Sequence, residues 1–292
     1  MLLPGFEYHR MDVEGVTISC AVSGSGPPVL LLHGYPQNHL TWRDVAPALA
    51  EDHTVVVADL RGYGDSGKPV PDIAAHVYSK RAMAADQVGL MRQLGFRQFG
   101  LAGHDRGARV AHRLVLDHPG TVTRLAILDI LPTRHILHNL TPEVAAGIYF
   151  WFFLAVGDGL AEHMIAADPG FWVEALTAQL LGDGASIEPE VMHDYIRCLT
   201  DPAAIAGTSA DFRASLGTDL ALDDETYAAG QKIECPVLLL WGLEGTSAPG
   251  DEPLHIWQPY APDIRGNALP TGHFLPEEAP GLVSAALGEF LG

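Results

Sequence analysis

Short apolar runs alternate with amphipathic stretches along most of the chain. The runs are too short for helices and several are rich in β-branched residues, so each predicts a buried strand. They cover residues 29–32, 54–58, 99–102, 125–128 and 237–241, with a last strand expected near 266–269. The stretches between them have hydrophobic positions at helical spacing, at about 39–50, 79–94, 106–118 and 251–260, with a last helix near 277–291. This alternation predicts an α/β fold, a mostly parallel sheet with helices on both faces.

Two segments depart from the alternation. Residues 16–22 alternate apolar and polar side chains ahead of a Gly-Ser-Pro turn, which predicts an antiparallel strand at one edge of the sheet. From about 131 to 232, Trp, Phe, Ala and Met recur at helical spacing without a clear strand. We interpret 132–231 as a helical cap, inserted after the sixth strand of a core formed by 1–131 and 232–292. Such a cap is expected to close over a site at the carboxyl ends of the strands and to exclude water.

Composition and charge narrow the range of partners. The 292 residues, 48% of them hydrophobic, suit one compact unit with an insertion. A formal net charge of −19 repels phosphate backbones and anionic lipid, so we expect neither nucleic acid nor a membrane as partner. Cys20, Cys198 and Cys235 lie far apart without a C-x-x-C pattern, and residues 1–10 lack the features of a signal peptide. We therefore expect reduced cysteines and a cytoplasmic location. A homodimer is compatible with the sequence.

The sharpest motif is Gly103-His104-Asp105-Arg106-Gly107, between a predicted strand and a predicted helix. Its layout is that of a nucleophile elbow, in which small residues permit a strained turn that lifts one side chain above the sheet. The lifted residue lies at a helix N-terminus, which favours an anion. Asp is ionised at neutral pH and needs no base in order to attack. The motif predicts Asp105 as a nucleophile; the alternative is an ordinary N-cap.

A histidine and an acid complete the expected catalytic set. His273 follows the last predicted strand, where the chain order nucleophile, acid, histidine places the base. Two residues compete to orient it: Asp129 ends the strand at 125–128, and Glu244 follows the strand at 237–241. We favour Asp129, because an Asp directly after an apolar strand is costly without a partner.

Backbone and side-chain donors are expected around this set. The backbone N–H groups of Tyr35, which follows another strand in His33-Gly34-Tyr35-Pro36, and of Arg106 are placed to form an oxyanion hole. Arg106 and Arg109 lie one helical turn apart, so their side chains are neighbours. Two arginines beside an attacking carboxylate indicate a clamp for a substrate carboxylate. The alternative for both arginines is an ion pair with a surface acid.

One further motif is set aside. Gly62-Tyr63-Gly64-Asp65-Ser66-Gly67 matches G-x-G-x-x-G, but Lys68-Pro69-Val70-Pro71 follows and no helix can begin there. We interpret it as a loop and not as a dinucleotide site. The chain shows no metal-ligand spacing, and neither a metal nor a cofactor is expected.

With these residues assembled, the chain resembles the haloacetate (fluoroacetate) dehalogenases of the α/β-hydrolase superfamily. The resemblance rests on segments spread over nearly the whole chain: 33–37, 59–66, 103–110, 128–133, 151–155 and 272–280. It implies an α/β-hydrolase fold with a helical cap, Asp105 as nucleophile and Asp129 with His273 as its partners. It also implies Arg106 and Arg109 as carboxylate binders and Trp151 as a halide contact.

Two positions depart from the family pattern. The family has His before the tryptophan, where this chain has Phe150, and a cap Tyr that corresponds to Phe212 in Asp211-Phe212-Arg213-Ala214. Two of three expected halide donors are therefore absent from the sequence. This pattern predicts that chloro and bromo substrates are favoured over fluoro substrates.

The expected function is hydrolysis of short 2-haloacids, small anionic substrates, through an ester on Asp105. The first alternative is an epoxide hydrolase with the same nucleophile; it needs acidic donors, for which Tyr149 and Tyr195 are the candidates. The haloacid reaction is favoured because an epoxide has no carboxylate for the arginine pair to bind. The second alternative is a non-catalytic ligand-binding protein of the same fold, which any turnover would exclude.

Overall fold

A computed structural model describes residues 3–72, 75–245 and 252–292 and shows an eight-stranded sheet in the order β1-β2-β4-β3-β5-β6-β7-β8. The strands are β1 Glu7–Val13, β2 Val16–Ser23, β3 Pro28–Leu32, β4 Thr54–Ala58, β5 Phe99–His104, β6 Val122–Leu128, β7 Val237–Gly242 and β8 Ile264–Leu269. The pairs β1–β2 and β2–β4 are antiparallel and all other pairs are parallel. The predicted α/β fold class is confirmed.

Fourteen α-helices connect or follow the strands in the described residues, together with two 3₁₀ helices at His39–Trp42 and His76–Tyr78. The helices are α1 Ala46–Leu49, α2 Lys80–Gln93, α3 Arg106–Asp117, α4 Thr133–His138, α5 Pro142–Gly147, α6 Tyr149–Ala155, α7 Leu160–Ala167, α8 Pro169–Leu180, α9 Pro189–Leu199, α10 Pro202–Leu216, α11 Thr218–Ala228, α12 Pro253–Trp257, α13 Leu275–Glu278 and α14 Pro280–Leu291. Helix α12 is shorter than the predicted 251–260, whose first residue lies outside the described residues.

The glycines of β5 show that helices cover both faces of the sheet. A Cβ atom on Gly103 would meet Ala108 of α3, whereas one on Gly100 would meet the side chain of Leu291 in α14. Positions three apart in a strand face opposite sides. Helices α3 and α14 therefore lie on opposite faces, and the central strands between them are almost fully buried.

Two expectations from the sequence are corrected. The edge of the sheet is β1 and not the strand at 16–22, because β1 pairs outside β2 along its whole length. Most β1 side chains are exposed or half-buried and polar, as is common for an edge strand, and so give no apolar run. The helix expected at 39–50 is two short pieces, since Pro47 has no N–H group with which to continue a helix from residue 43.

The segment 132–231, all of it described, contains helices α4 to α11 and no strand. It leaves the sheet at the carboxyl end of β6 and returns at β7. In the described residues no single helix is long and apolar enough to cross a membrane. Helices α6 and α7, which are bent by 110° relative to each other, are long and apolar enough only when taken together, by length and composition alone.

Candidate active site

Asp105 occupies a strained turn between β5 and α3. Its φ of 45° and ψ of −112° lie outside the regions that L-residues usually adopt. A Cβ atom on Gly103 would come within 2.7 Å of the backbone of Ala108, and one on Gly107 within 2.5 Å of the His33 carbonyl oxygen. Glycine is therefore required on both sides of Asp105, which explains the small residues of the motif.

The two carboxylate oxygens of Asp105 have different surroundings. Oδ1 accepts a hydrogen bond from the backbone N–H of Tyr35 at 2.9 Å, and Oδ2 lies 3.7 Å from Nε2 of His273. Burial by itself would raise the pKa of Asp105, but the positive charges of His273 and Arg106 outweigh it and lower that pKa. Asp105 is thus an anion with one oxygen held by an amide. The backbone N–H of Arg106 stays an expected second donor.

His273 is oriented by Asp129. The Nδ1–H group of His273 donates to Oδ2 of Asp129 at 2.7 Å, and Oδ1 of Asp129 accepts from the Gly242 amide at 2.9 Å. Glu244, the competing acid, accepts instead from the backbone of Asp183 at 2.9 Å. Burial would lower the pKa of His273, but the hydrogen bond and charge of Asp129 more than reverse this and raise it. The arrangement leaves Nε2 of His273 facing Oδ2 of Asp105.

Arg106 is already ion-paired. Its Nε and Nη2 groups donate to the carboxylate of Asp211 in α10, each at 2.9 Å, and Nη2 also donates to Ser215 at 2.6 Å. The ring of Phe212 lies 4.1 Å from its guanidinium carbon. Only Nη1 is buried without a hydrogen-bond partner. The charge of Arg106 is therefore largely balanced by Asp211, and its one unpartnered donor, Nη1, is buried.

Arg109 differs from Arg106 in having neutral partners. Its Nη1 group donates to the Leu131 carbonyl at 3.1 Å and to the Thr133 hydroxyl at 2.8 Å, and Nε is buried without a partner. Across residues 3–72, 75–245 and 252–292, no carboxylate lies within ion-pair distance of it. Burial, with the charge of Arg106 next in size, lowers the pKa of Arg109 to about 10, so it stays cationic at neutral pH. Arg109 is a buried cation suited to an anionic ligand.

A cavity of about 690 Å³ lies beneath the helical segment, and of the two predicted carboxylate binders only Arg109 is part of its lining. Its lining includes Asp105, Arg109, His273, Phe150 and Trp151, together with parts of α4, α5 and α8. The lining is mostly apolar with a few convergent polar groups, as in small-molecule sites. The guanidinium carbon of Arg109 lies 4.5 Å from the Trp151 ring.

The position of Phe212 corrects its expected place in the halide pocket. Phe212 is buried behind Phe150 and Trp151, with ring centroids 5.9 and 6.2 Å away, and is not part of the cavity lining. Its neighbour Asp211 binds Arg106, and this contact places the Phe212 ring over the Arg106 guanidinium group.

The structure also reveals residues to which the sequence had assigned no role. Asp211 lies 105 positions from Arg106 along the chain, and Gln37 and Glu277 approach the back of the His273 loop. The only local indication of Asp211 was a single acid among small and apolar residues of α10. In 3–72, 75–245 and 252–292, no cluster of His, Cys, Asp and Glu suits a metal ion.

The chain is similar to known hydrolases in sequence and in fold. Residues 27–280 match the family model described as alpha/beta hydrolase fold. A fluoroacetate dehalogenase from Burkholderia sp. is 44% identical over 99% of this chain and 95% of its own length. A soluble epoxide hydrolase from Corynebacterium sp. (strain C12) is 34% identical over 94% of each chain. The crystal structure of a Nostoc sp. PCC 7120 protein assigned to the α/β hydrolases superposes with a TM-score of 0.96 at 45% identity, covering 100% of this chain and 99% of that one.

Proposed function

Because the chain belongs to the haloacetate dehalogenase family of the α/β-hydrolase superfamily and is a hydrolase of carbon–halogen bonds, we propose that it hydrolyses short 2-haloacids through an ester on Asp105. The observation that carries the proposal is that Asp105 and Arg109 line the same cavity. A buried guanidinium group with only neutral partners calls for an anion. A substrate carboxylate bound there would present its neighbouring carbon to the nucleophile.

The first step is displacement of halide. Arg109 binds the substrate carboxylate, whereas Arg106 is not part of the cavity lining and stays an expected second contact through its unpartnered Nη1 group. Oδ2 of Asp105 attacks carbon 2 in line with the carbon–halogen bond, and the electron pair of that bond leaves with the halide. The Asp105 carboxylate becomes an ester of the substrate, with its Oδ1 held by the Tyr35 amide. Indole N–H donation from Trp151 is the expected contact for the leaving halide.

The second step is hydrolysis of the ester. Nε2 of His273 takes a proton from a water molecule, which attacks the carboxyl carbon of Asp105. The tetrahedral intermediate carries its negative charge on Oδ1, which faces the Tyr35 amide, with the Arg106 amide as the expected second donor. The intermediate collapses, the protonated His273 returns the proton to the departing oxygen, and the 2-hydroxy acid leaves. Asp129 stabilises the imidazolium ion in between.

The similarity to a soluble epoxide hydrolase makes epoxide opening the second candidate. That reaction needs an acid to protonate the epoxide oxygen. Tyr149 is 44% exposed, and Tyr195 donates its hydroxyl proton to Glu277 at 2.8 Å. Neither is part of the cavity lining. A neutral epoxide would also leave the Arg109 charge without a counterion, so this geometry favours the haloacid.

The two candidates are separated by one substrate panel. Fluoro-, chloro- and bromoacetate and styrene oxide are incubated with the enzyme, and halide and diol are measured. We expect one halide and one 2-hydroxy acid for each haloacetate consumed, and no diol. Diol formation without halide release would favour the epoxide reaction. Binding without turnover of any member would favour the non-catalytic alternative.

Phe150 is expected to set the choice of halide. Charge concentrates on the halogen as its bond to carbon breaks, and loss of one donor aimed at such charge typically costs about 10²–10³ in rate. Fluoride is small and strongly hydrated, so it depends most on donors, and a Phe ring supplies none. We expect turnover of bromo- and chloroacetate with weak or no defluorination.

The test is Phe150→His, which restores the residue of the family pattern. It should raise fluoride release more than chloride release, while Phe152→His, on the same helix but outside the cavity lining, should change neither. Because Phe212 lies behind that lining, Phe212→Tyr should add little to Phe150→His. Wild-type enzyme that released fluoride as fast as chloride would contradict the role of Phe150.

A further inference from the structure

A chain of buried hydrogen bonds lies behind the His273 loop and takes no part in the proposed chemistry. The ring of His104 is central to it: Nε2 lies 2.7 Å from the His273 carbonyl oxygen, and Nδ1 lies 3.0 Å from Oε1 of Gln37. In this placement Nε2 of Gln37 faces a carboxyl oxygen of Glu277 and the Thr41 hydroxyl. The second carboxyl oxygen of Glu277 accepts from the Tyr195 hydroxyl at 2.8 Å. His104, Gln37 and Tyr195 are buried.

The partners of His104 fix where its hydrogen lies. A carbonyl oxygen only accepts, so Nε2 must carry the hydrogen that binds the His273 carbonyl. Complete burial, aided by the nearby charge of His273, lowers the pKa of His104 to about 4, so its ring is neutral at pH 7. A neutral ring has one hydrogen, and Nδ1 is then an acceptor. As placed, Oε1 of Gln37 and the His273 carbonyl oxygen both accept, and a neutral ring cannot donate to both. The two ends of the Gln37 amide must therefore be exchanged, so that its NH₂ group faces His104.

This orientation of Gln37 places a demand on Glu277. The two ends of an amide are told apart by their partners, and here the oxygen end must face Thr41 and Glu277. The Thr41 hydroxyl lies 2.7 Å from that end and can donate. A carboxylate cannot donate, whereas a protonated carboxyl group can. With a neutral His104 ring, these hydrogen bonds are all satisfied only when Glu277 carries a proton.

The surroundings of Glu277 agree with a neutral acid. Although the residue is partly exposed, both carboxyl oxygens face buried side chains, and burial raises the pKa of Glu277 to about 8 even though the hydrogen bonds of Tyr195, Gln37 and Thr41 act to lower that pKa. The groups facing it are Tyr195 from α9, with Asp194 beside it in that helix, His104 from β5, and Glu278 of its own helix. Among the described residues no cation forms an ion pair with it.

We propose that Glu277, in its protonated form, acts through Gln37 to fix the tautomer of His104, and that His104 in turn positions the main chain of His273. Glu277, Gln37 and His104 are positioning residues, because none contacts the reacting atoms. The inference rests on the proposed function only for the role of His273 as base.

Loss of the Glu277 proton has a specific consequence. The carboxylate would accept from Gln37, so the amide would turn and direct its oxygen at Nδ1 of His104. A neutral His104 ring would then carry its hydrogen on Nδ1 and lose the bond from Nε2 to the His273 carbonyl. The activity is therefore expected to fall as pH rises through about 8, the pKa of Glu277.

The kinetic test compares wild type with Glu277→Gln, whose side-chain amide can donate to Gln37 and accept from Tyr195 without titrating. With chloroacetate, the wild-type kcat should fall severalfold between pH 7 and pH 9, and this loss should be absent in Glu277→Gln. Tyr195→Phe removes a donor to Glu277 and should move the loss to higher pH. Glu190→Gln, an exposed acid of the same helix as Tyr195, should keep the wild-type profile. An alkaline loss that is equal in wild type and Glu277→Gln would overturn the proposal.

A spectroscopic test needs no turnover and so separates this proposal from the proposed function. The infrared carbonyl band of a protonated carboxylic acid should be present at pH 7, should disappear through about pH 8, and should be missing from Glu277→Gln at pH 7; Asp223, whose pKa is raised by burial to about 6, titrates below this range. Nitrogen-15 NMR should show His104, assigned by its loss in His104→Asn, as the Nε2–H tautomer below that transition and the Nδ1–H tautomer above it. Absence of the acid band, or a His104 tautomer unchanged by pH, would refute the positioning chain even if haloacids are hydrolysed. Failure of all haloacid turnover with both spectroscopic transitions present would refute only the proposed function.

Discussion

His273→Ala is expected to stop the enzyme after the release of one halide, with the two-carbon unit of chloroacetate bound to Asp105. The first step needs only the ionised Asp105, whose pKa is lowered by the positive charges around it despite its burial. The second step needs a base, and Nε2 of His273 lies 3.7 Å from the nucleophile. Loss of a general base slows a step by about 10²–10⁴. The ester should accumulate and add the mass of a carboxymethyl group to the intact protein.

The same step can be followed by isotope. A single turnover of wild-type enzyme in heavy-oxygen water should place the label in Asp105 and leave the first product unlabelled. The control is His135→Ala, another histidine of the cavity lining, which should keep multiple turnover. Label in the first product, or a His273→Ala protein without added mass after one equivalent of halide, would mean that water attacks the substrate directly.

Substitution of Arg109 is expected to have the largest effect on substrate binding. A hydrogen bond to a charged group contributes about 1.5–3 kcal/mol, so Arg109→Lys should raise KM for chloroacetate about tenfold or more. Arg109→Gln removes the charge and leaves a buried substrate carboxylate without its cation. Breaking such a pair costs about 3–5 kcal/mol, which lowers kcat/KM by about 10²–10³ or more.

The matched control is Arg113→Lys on the same helix. Arg113 forms ion pairs with Asp117 and Asp223 and is not part of the cavity lining, so its loss should leave KM unchanged. Chloroacetamide, the neutral analogue of the substrate, should be a poor substrate of the wild type and should be affected little by Arg109→Gln. Equal activity toward chloroacetate and its amide would contradict carboxylate binding by Arg109.

The pattern of the chain by itself determined the parallel strands and the elbow. Buried strands must be apolar along their length, and the strained turn at Asp105 admits only glycine at 103 and 107. Both features therefore depend on residues that are close together in the sequence. The chain order of Asp105, Asp129 and His273 followed from where each strand ends. Edge strand β1 was missed because an exposed edge carries polar side chains with no apolar run.

Only the tertiary structure decided which partners these residues have. Both arginines look alike in the sequence, yet Asp211, 105 positions away, pairs with Arg106 and leaves Arg109 with neutral partners. Phe212, next to Asp211 in the chain, lies over the Arg106 guanidinium group and outside the cavity lining. Gln37 and Glu277 meet across 240 positions of the chain. Spacing along a helix or strand sets only which near neighbours share a face, whereas a long-range partner depends on how separate elements pack, and no local pattern encodes that packing.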